Sequence, residues 1–185
     1  LFLLQSFLVG RGNKALHRRI GYAGIILAIV MVCSGYFTAI TMARRGYDLS
    51  GDLINGVNDP LALLVFQLGD LVNFSLLVGA AIWFRHRSAM HKRLMLLAII
   101  GGLMPAALTH IIGHSLVLRE IKAPIILIPL VLLYSTLFIH DRLTLGRIHS
   151  VTKWGVFILL VWAPLRGAII GPSQIWHNFA AWLIR

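Results

Sequence analysis

Six polar side chains stand in or beside runs of sequence that are otherwise apolar, and they are the first candidates for chemistry. His110 and His114 lie late in the run 94–118. Asp70 and Asn73 interrupt the run 61–84, and Arg166 follows Pro164 near the end of the run 154–170. His177 lies beyond that last run, in SQIWHNFAAWLIR. Ionisable groups are costly in hydrocarbon, so they face a bundle interior or a cavity and pair there. His110 and His114 are four residues apart and share one helix face. That spacing is compatible with three chemistries. Each imidazole could ligate a b-type haem, though the two cannot be the opposed axial ligands of one haem, and His177 is the remaining histidine on their side of the membrane. The pair could be half of a metal site completed by the Asp70 carboxylate. Or the layer could hold a quinone, a pigment or another polar-headed lipid, with His and Asp exchanging protons. The bland alternative is a self-satisfied hydrogen-bonded network that fixes helix packing.

Depth brings these residues together. Asp70 lies about ten residues into its run, ~15 Å at 1.5 Å per residue, and His110 ~12 Å from the corresponding end of its own. His114 is one turn shallower, and Arg166 approaches the same level. Asp70, Asn73, His110, His114 and Arg166 are therefore expected to share one layer.

The elements that must position them are transmembrane helices. The 185 residues are 58% hydrophobic and only 12% charged, with a mean hydropathy of +0.85. A soluble domain carries roughly 25% charged residues, so this chain could not cover a water-facing surface. Spans are expected at 20–43, 61–84, 94–118, 125–139 and 154–170. A run of about 20 apolar residues matches a ~30 Å hydrocarbon core. LFLLQSFLVG at the start is too short to span and reads as the end of a longer helix. The tryptophan-bearing 173–185 reads as an interfacial helix. Alternating short strands of the kind that build outer-membrane barrels do not occur. The fold class is an all-α polytopic bundle in a single domain.

Charge sets the expected orientation. A net charge of +11 would point to nucleic acid in a soluble protein; here the basic residues sit in short connections, as topology determinants and contacts to membrane lipids. One side receives Arg11, Lys14, Arg18, Arg19, Arg85, Arg87, Lys92, Arg93, Arg142, Arg147 and Lys153. The other receives Arg44, Arg45, Arg119, Lys122, Arg166 and Arg185 with most of the acids. The richer side is expected in the cytoplasm, which puts the polar loop 46–60, opening onto a helix at Pro60, outside. The lone cysteine, Cys33, excludes a disulfide framework. Phosphate loops, nucleophile elbows and HExxH are absent.

Three helix starts on the basic side carry a histidine beside basic residues: His17-Arg18-Arg19, His91-Lys92-Arg93 and Arg147-Ile148-His149. They are interfacial anchors or, with His140 and Asp141, a cluster for a metal or an anionic headgroup. Through HRRIGYAG, RHRSAMHKRLMLLA and GRIHSVTKWG, residues 11–160 resemble a broad family of uncharacterised bacterial inner-membrane proteins. The resemblance implies a small bundle in the cytoplasmic membrane, with His17, His91 and His149 as motif histidines. It also implies a link, known for some related families, to haem or to respiratory-complex assembly. It assigns nothing to His110 or His114.

Small residues along the helices, among them Gly21, Gly24, Gly35, Gly79, Gly101 and Gly102, permit close approach of backbones. Together these features lead to an expected function. The chain reads as a non-catalytic membrane subunit or assembly factor of a larger bioenergetic complex, holding a lipid, quinone or pigment. The alternative is a redox protein that binds haem b or a metal through His110 and His114.

Overall fold

The structure is a computed structural model that describes residues 1–46, 59–114 and 124–185; the side chains of residues 109, 110, 112–114 and 124–127 are not described. Every regular element among these residues is a helix. In chain order they are α1 (Phe2–Gly10), α2 (Lys14–Arg44), α3 (Pro60–Trp83), α4 (Ser88–Ala98), α5 (Met104–His114), α6 (Pro124–Leu145), α7 (Ser150–Leu165) and α8 (Gln174–Leu183). A π-turn, Ile99–Leu103, joins α4 to α5, and a second, Arg166–Ile170, extends α7. Five stretches are long and apolar enough to cross a membrane: Lys14–Arg44, Pro60–Trp83, Ser88–Leu108, Ile128–Leu145 and Ser150–Ile170. The chain is a multi-pass membrane protein.

Helix ends depart from the apolar runs in an instructive way. The third span begins at Ser88 rather than at 94, the fourth runs on to Leu145 rather than stopping at 139, and the fifth begins at Ser150 rather than at 154. Counting apolar residues stops at the first charge, whereas a helix continues until its backbone is capped. Here the charges that ended the counts, Arg93 and Asp141, neutralise each other. Gly146, at φ +67°, terminates α6 in the left-handed conformation that glycine adopts without strain. Three residues on, the His149 imidazole accepts from the Val151 N–H and caps α7. The expected helix start at Pro60 is found, with the Asp59 carboxylate accepting from the Ala62 N–H at 3.0 Å. Residues 47–58 and 115–123, which hold most of the loop 46–60 and the end of the run 94–118, lie outside the described residues.

Two compact units divide the chain within α2. In the first, Leu1–Phe37, α1 turns at Gly12 (φ +74°) into α2, whose start is capped by the Asn13 side chain accepting from the Leu16 N–H. Leu1 folds back to Gly24, where a Cβ would stand 3.1 Å from its side chain.

The second unit, Thr38–Arg185, has two cores. Leu97, Ile100, Leu130, Tyr134, Leu137, Val156 and Leu159 join α4, α6 and α7. Ala39, Ile40 and Ala43 from the end of α2 pack with Leu64 of α3 and Ala180 of α8. Between helices in lipid the attraction is van der Waals contact and hydrogen bonding rather than escape from water, so close approach matters most. Glycines supply it. A Cβ at Gly102 would come within 2.9 Å of the Phe74 Cα, and one at Gly101 within 2.5 Å of Leu159; at Gly155 it would overlap Leu97. Gly21 and Gly79 meet nothing.

α8 lies across the start of α3. The Trp176 indole donates to the Leu61 carbonyl at 2.7 Å, and Arg44 donates to the Ile184 carbonyl at 2.6 Å. Ile175 and Trp182, 84% and 65% exposed, face away from this core. One side of α8 is thus committed to the bundle and the other is free for the interface.

Candidate functional site

Arg166 sits at the first position of the π-turn that follows Pro164. Proline has no N–H to offer the preceding turn, and the chain resumes with a wider ring in which the Gly171 N–H donates to the Arg166 carbonyl at 2.7 Å. Such π insertions recur at functional sites. This one carries the Arg166 side chain into α3. The guanidinium lies against Gly69, where any Cβ would overlap it. One of its nitrogens donates to the Phe66 carbonyl at 2.9 Å, and another forms an ion pair with Asp70 Oδ1 at 2.8 Å. Phe66 and Trp162 stack around it, their ring centres 5.5 and 5.7 Å from the guanidinium carbon.

This arrangement leaves buried polar atoms without partners. Asp70 Oδ1 is met by the Arg166 ion pair, but the N–H groups of Arg166 Nε and Trp162 Nε1 find no acceptor. Arg166 is only 3% exposed. Each buried, unsatisfied group costs roughly 1–3 kcal/mol. Two buried donors without acceptors, on residues that belong to or flank a single ion pair, make this the candidate site.

Of the residues expected to share this layer, Asp70 and Arg166 are brought together, and Asn73 is half-buried one turn further along α3. His110 and His114 lie on α5, but their side chains are outside the described residues. His177 is placed elsewhere. Its Nε2 donates to Asp59 Oδ2 at 2.6 Å and its Nδ1 to the Ser173 carbonyl at 2.9 Å, so in this arrangement neither nitrogen is open to a haem iron. The Ser173 carbonyl and then Asp59 raise the His177 pKa above 6.5. For Asp59, burial pushes the pKa up, but the Ala62 N–H and His177 outweigh it and hold it below 3.8.

The motif histidines have separate tasks. His17 opens α2 beside Gln5 in the first unit. His91 Nδ1 lies 2.7 Å from the Ala81 carbonyl at the end of α3. His149 caps α7, and burial together with the neighbouring Arg93 lowers its pKa, favouring the neutral ring that capping requires. Among the described residues, no three His, Cys, Asp or Glu side chains are placed to hold a metal.

Sequence reasoning passed over two features. Trp162 stands four residues before Arg166 and therefore on the same face. Arg93 and Asp141 looked like loop charges, yet they form a buried ion pair, 3% and 1% exposed. Arg93 Nε donates to Asp141 Oδ1 at 2.9 Å, and its NH1 group donates to the Ala89 carbonyl at 2.7 Å. The Thr152 hydroxyl and the His149 N–H complete the Asp141 carboxylate at 2.6 and 3.1 Å. The signal is an aspartate two residues past the end of the apolar run 125–139.

No family model matches this chain, and neither a curated protein nor a solved structure gives a significant match.

Proposed function

We propose that this protein is a non-catalytic subunit or assembly factor of a bioenergetic complex in the bacterial inner membrane. In this reading it holds a quinone-type lipid at Asp70, Arg166 and Trp162. The observation that carries the reading is the pair of buried N–H groups without acceptors, Arg166 Nε and Trp162 Nε1, at one ion pair. A quinone carbonyl accepts from the Trp162 and Arg166 N–H groups, and a quinol hydroxyl donates to Asp70. The aromatic faces of Phe66 and Trp162 suit a flat head. The subunit part of the reading is supported by the small residues Gly21, Gly24 and Gly35 along the span Lys14–Arg44, which permit close approach of partner helices. The excess of basic residues at 85–93 and 142–153 supports a cytoplasmic position for that end.

The test is titration of the purified protein in detergent with a short-chain benzoquinone, followed by quenching of tryptophan fluorescence. Saturable quenching is expected; Trp162→Phe should weaken it several-fold, roughly the loss of one neutral hydrogen bond, and Asp70→Asn should weaken binding of the corresponding quinol about tenfold, roughly the loss of one charge-assisted hydrogen bond. Quenching that is linear in quinone, or binding unchanged in both variants, would overturn the assignment.

A further inference from the structure

At the other end of the bundle from Asp59, α4 and α6 enclose a groove of about 280 Å³ that the quinone reading does not use. It is lined by the Arg93–Asp141 pair, by Lys92 and His140, and by Leu96, Ile100, Thr136 and Leu137, of which Lys92, Thr136 and His140 are exposed. We infer that this groove is a binding site for an anionic phospholipid, with the phosphate at Lys92 and His140 and one acyl chain running inward along Leu96 and Ile100.

Three observations carry the assignment. The first is the order of chemistry along the groove. Lys92, Leu96 and Ile100 recur every fourth residue, so they form one stripe running from charge to hydrocarbon over ~12 Å. Thr136, Leu137 and His140 face it from α6 with the same polarity, charge outward. Lipids have that order, whereas a free anion needs no apolar wall.

The second is charge. Basic residues are concentrated at this end of the bundle, and Asp141 is the one acid there among the described residues. Both Asp141 oxygens are already engaged by Arg93, Thr152 and the His149 N–H, and Oδ1 lies 3.8 Å from His140 Nδ1, so the charge of this carboxylate is met within the protein. Lys92 is exposed and has no ion-pair partner among the described residues. Basic pockets between helices at this level recognise anionic headgroups.

The third is rigidity. Arg93 and Asp141 clamp α4 to α6, and the Thr136 hydroxyl is turned back onto the Leu133 carbonyl at 2.7 Å. That leaves a methyl-bearing, non-polar surface toward the groove.

The experiment uses the full chain, delipidated in detergent and supplied with phosphatidylglycerol or phosphatidylcholine, with retained lipid counted by native mass spectrometry. Phosphatidylglycerol should be retained and phosphatidylcholine not. Lys92→Gln with His140→Gln should reduce retention about fivefold or more. Thr136→Trp, which leaves every charge in place and fills the groove, should abolish it. Arg142→Gln, exposed at the same end but outside the groove, should change little. Competition by 10 mM inorganic phosphate should be weak, because phosphate lacks the chain. Equal retention of both lipids overturns the proposal. So does retention undiminished in Thr136→Trp, an equal loss in Arg142→Gln, or full displacement by phosphate, which would identify a free-anion site. The melting temperature of each variant in phosphatidylcholine shows that the fold is kept.

Discussion

The two buried arginine–aspartate pairs of this protein use the same residues to opposite ends. Arg93 and Asp141 spend nearly all their hydrogen-bonding capacity on the protein, and in doing so tie α4, α6 and the capped start of α7 together. Arg166 and Asp70 join the end of α7 to α3, but leave Arg166 Nε and the Trp162 indole N–H without acceptors. A buried ion pair stabilises little in net terms, because desolvation offsets attraction unless every remaining lone pair and proton is satisfied. The first pair meets that condition and the second does not. The first therefore reads as a staple, and the second as a place kept ready for something else.

The largest expected effect separates the pairs most sharply. Asp141→Leu strands a buried guanidinium and should cost about 3–5 kcal/mol, read as a large fall in melting temperature in detergent. Arg93→Met with Asp141→Leu should recover most of the loss, since an apolar pair of similar volume needs no desolvation. If the double variant is no better than the single, the pair is doing more than neutralising itself.

Gly69→Ala comes next. Its Cβ would overlap the Arg166 guanidinium, which is held on both sides by Phe66 and Asp70 and cannot swing aside without losing them. Overpacking of this kind costs about 1–3 kcal/mol. Quinone quenching should weaken in parallel, because the same movement displaces Nε. Alanine at Gly79, which meets nothing, is the control and should leave both readouts unchanged. A Gly69→Ala protein with normal stability would mean that the guanidinium is not pinned.

Asp70→Asn keeps the side-chain volume and removes the charge. Polar contacts between helices in a membrane contribute only ~0.6–2 kcal/mol, so the melting temperature should fall far less than in Asp141→Leu while quinol binding weakens about tenfold. A stability loss as large as that of Asp141→Leu would erase the distinction between staple and site.

Much of this was legible in the sequence. Five apolar runs give five spans, because hydrocarbon permits nothing but a helix or a closed barrel across it. Asp70 and Arg166 could be assigned to one level by counting residues from the ends of their runs. The rest depended on pairing across distant segments. Nothing local to Trp162 says that its indole nitrogen is left without an acceptor, and nothing local to Asp141 says that a helix continues past it. Both facts follow from which helix lies opposite. His177 shows the same limit. Its type invites a ligand role, but its partner, Asp59, lies 118 residues away and turns it into a latch between α8 and the start of α3.

That latch offers the smallest effect and the mildest contrast with the staple, because its groups meet solvent: the Asp59 side chain is 44% exposed and that of His177 24%, and solvent screens such pairs. It should still titrate. Asp59 has a folded pKa below 3.8, so its contribution is present above that value and is lost as pH falls through the lower folded one. His177 has a folded pKa above 6.5, so its contribution is full below 6.5 and is lost as pH rises through the raised folded one. The two overlap between about 4 and 6.5. In that window the imidazolium donates both its protons, one to Ser173 and one to Asp59. Trp176 to Leu61, Arg44 to Ile184 and the packing of Ala180 do not titrate there, so α8 stays docked throughout and only its protection changes. Hydrogen–deuterium exchange of 174–183, corrected for the intrinsic pH dependence, should show more protection at pH 5.5 than at pH 8.5. Asp59→Asn should flatten that difference while leaving the exchange of α6 untouched. Equal protection at both pH values, or a slope that survives in Asp59→Asn, would mean that His177 and Asp59 are neighbours without being a latch.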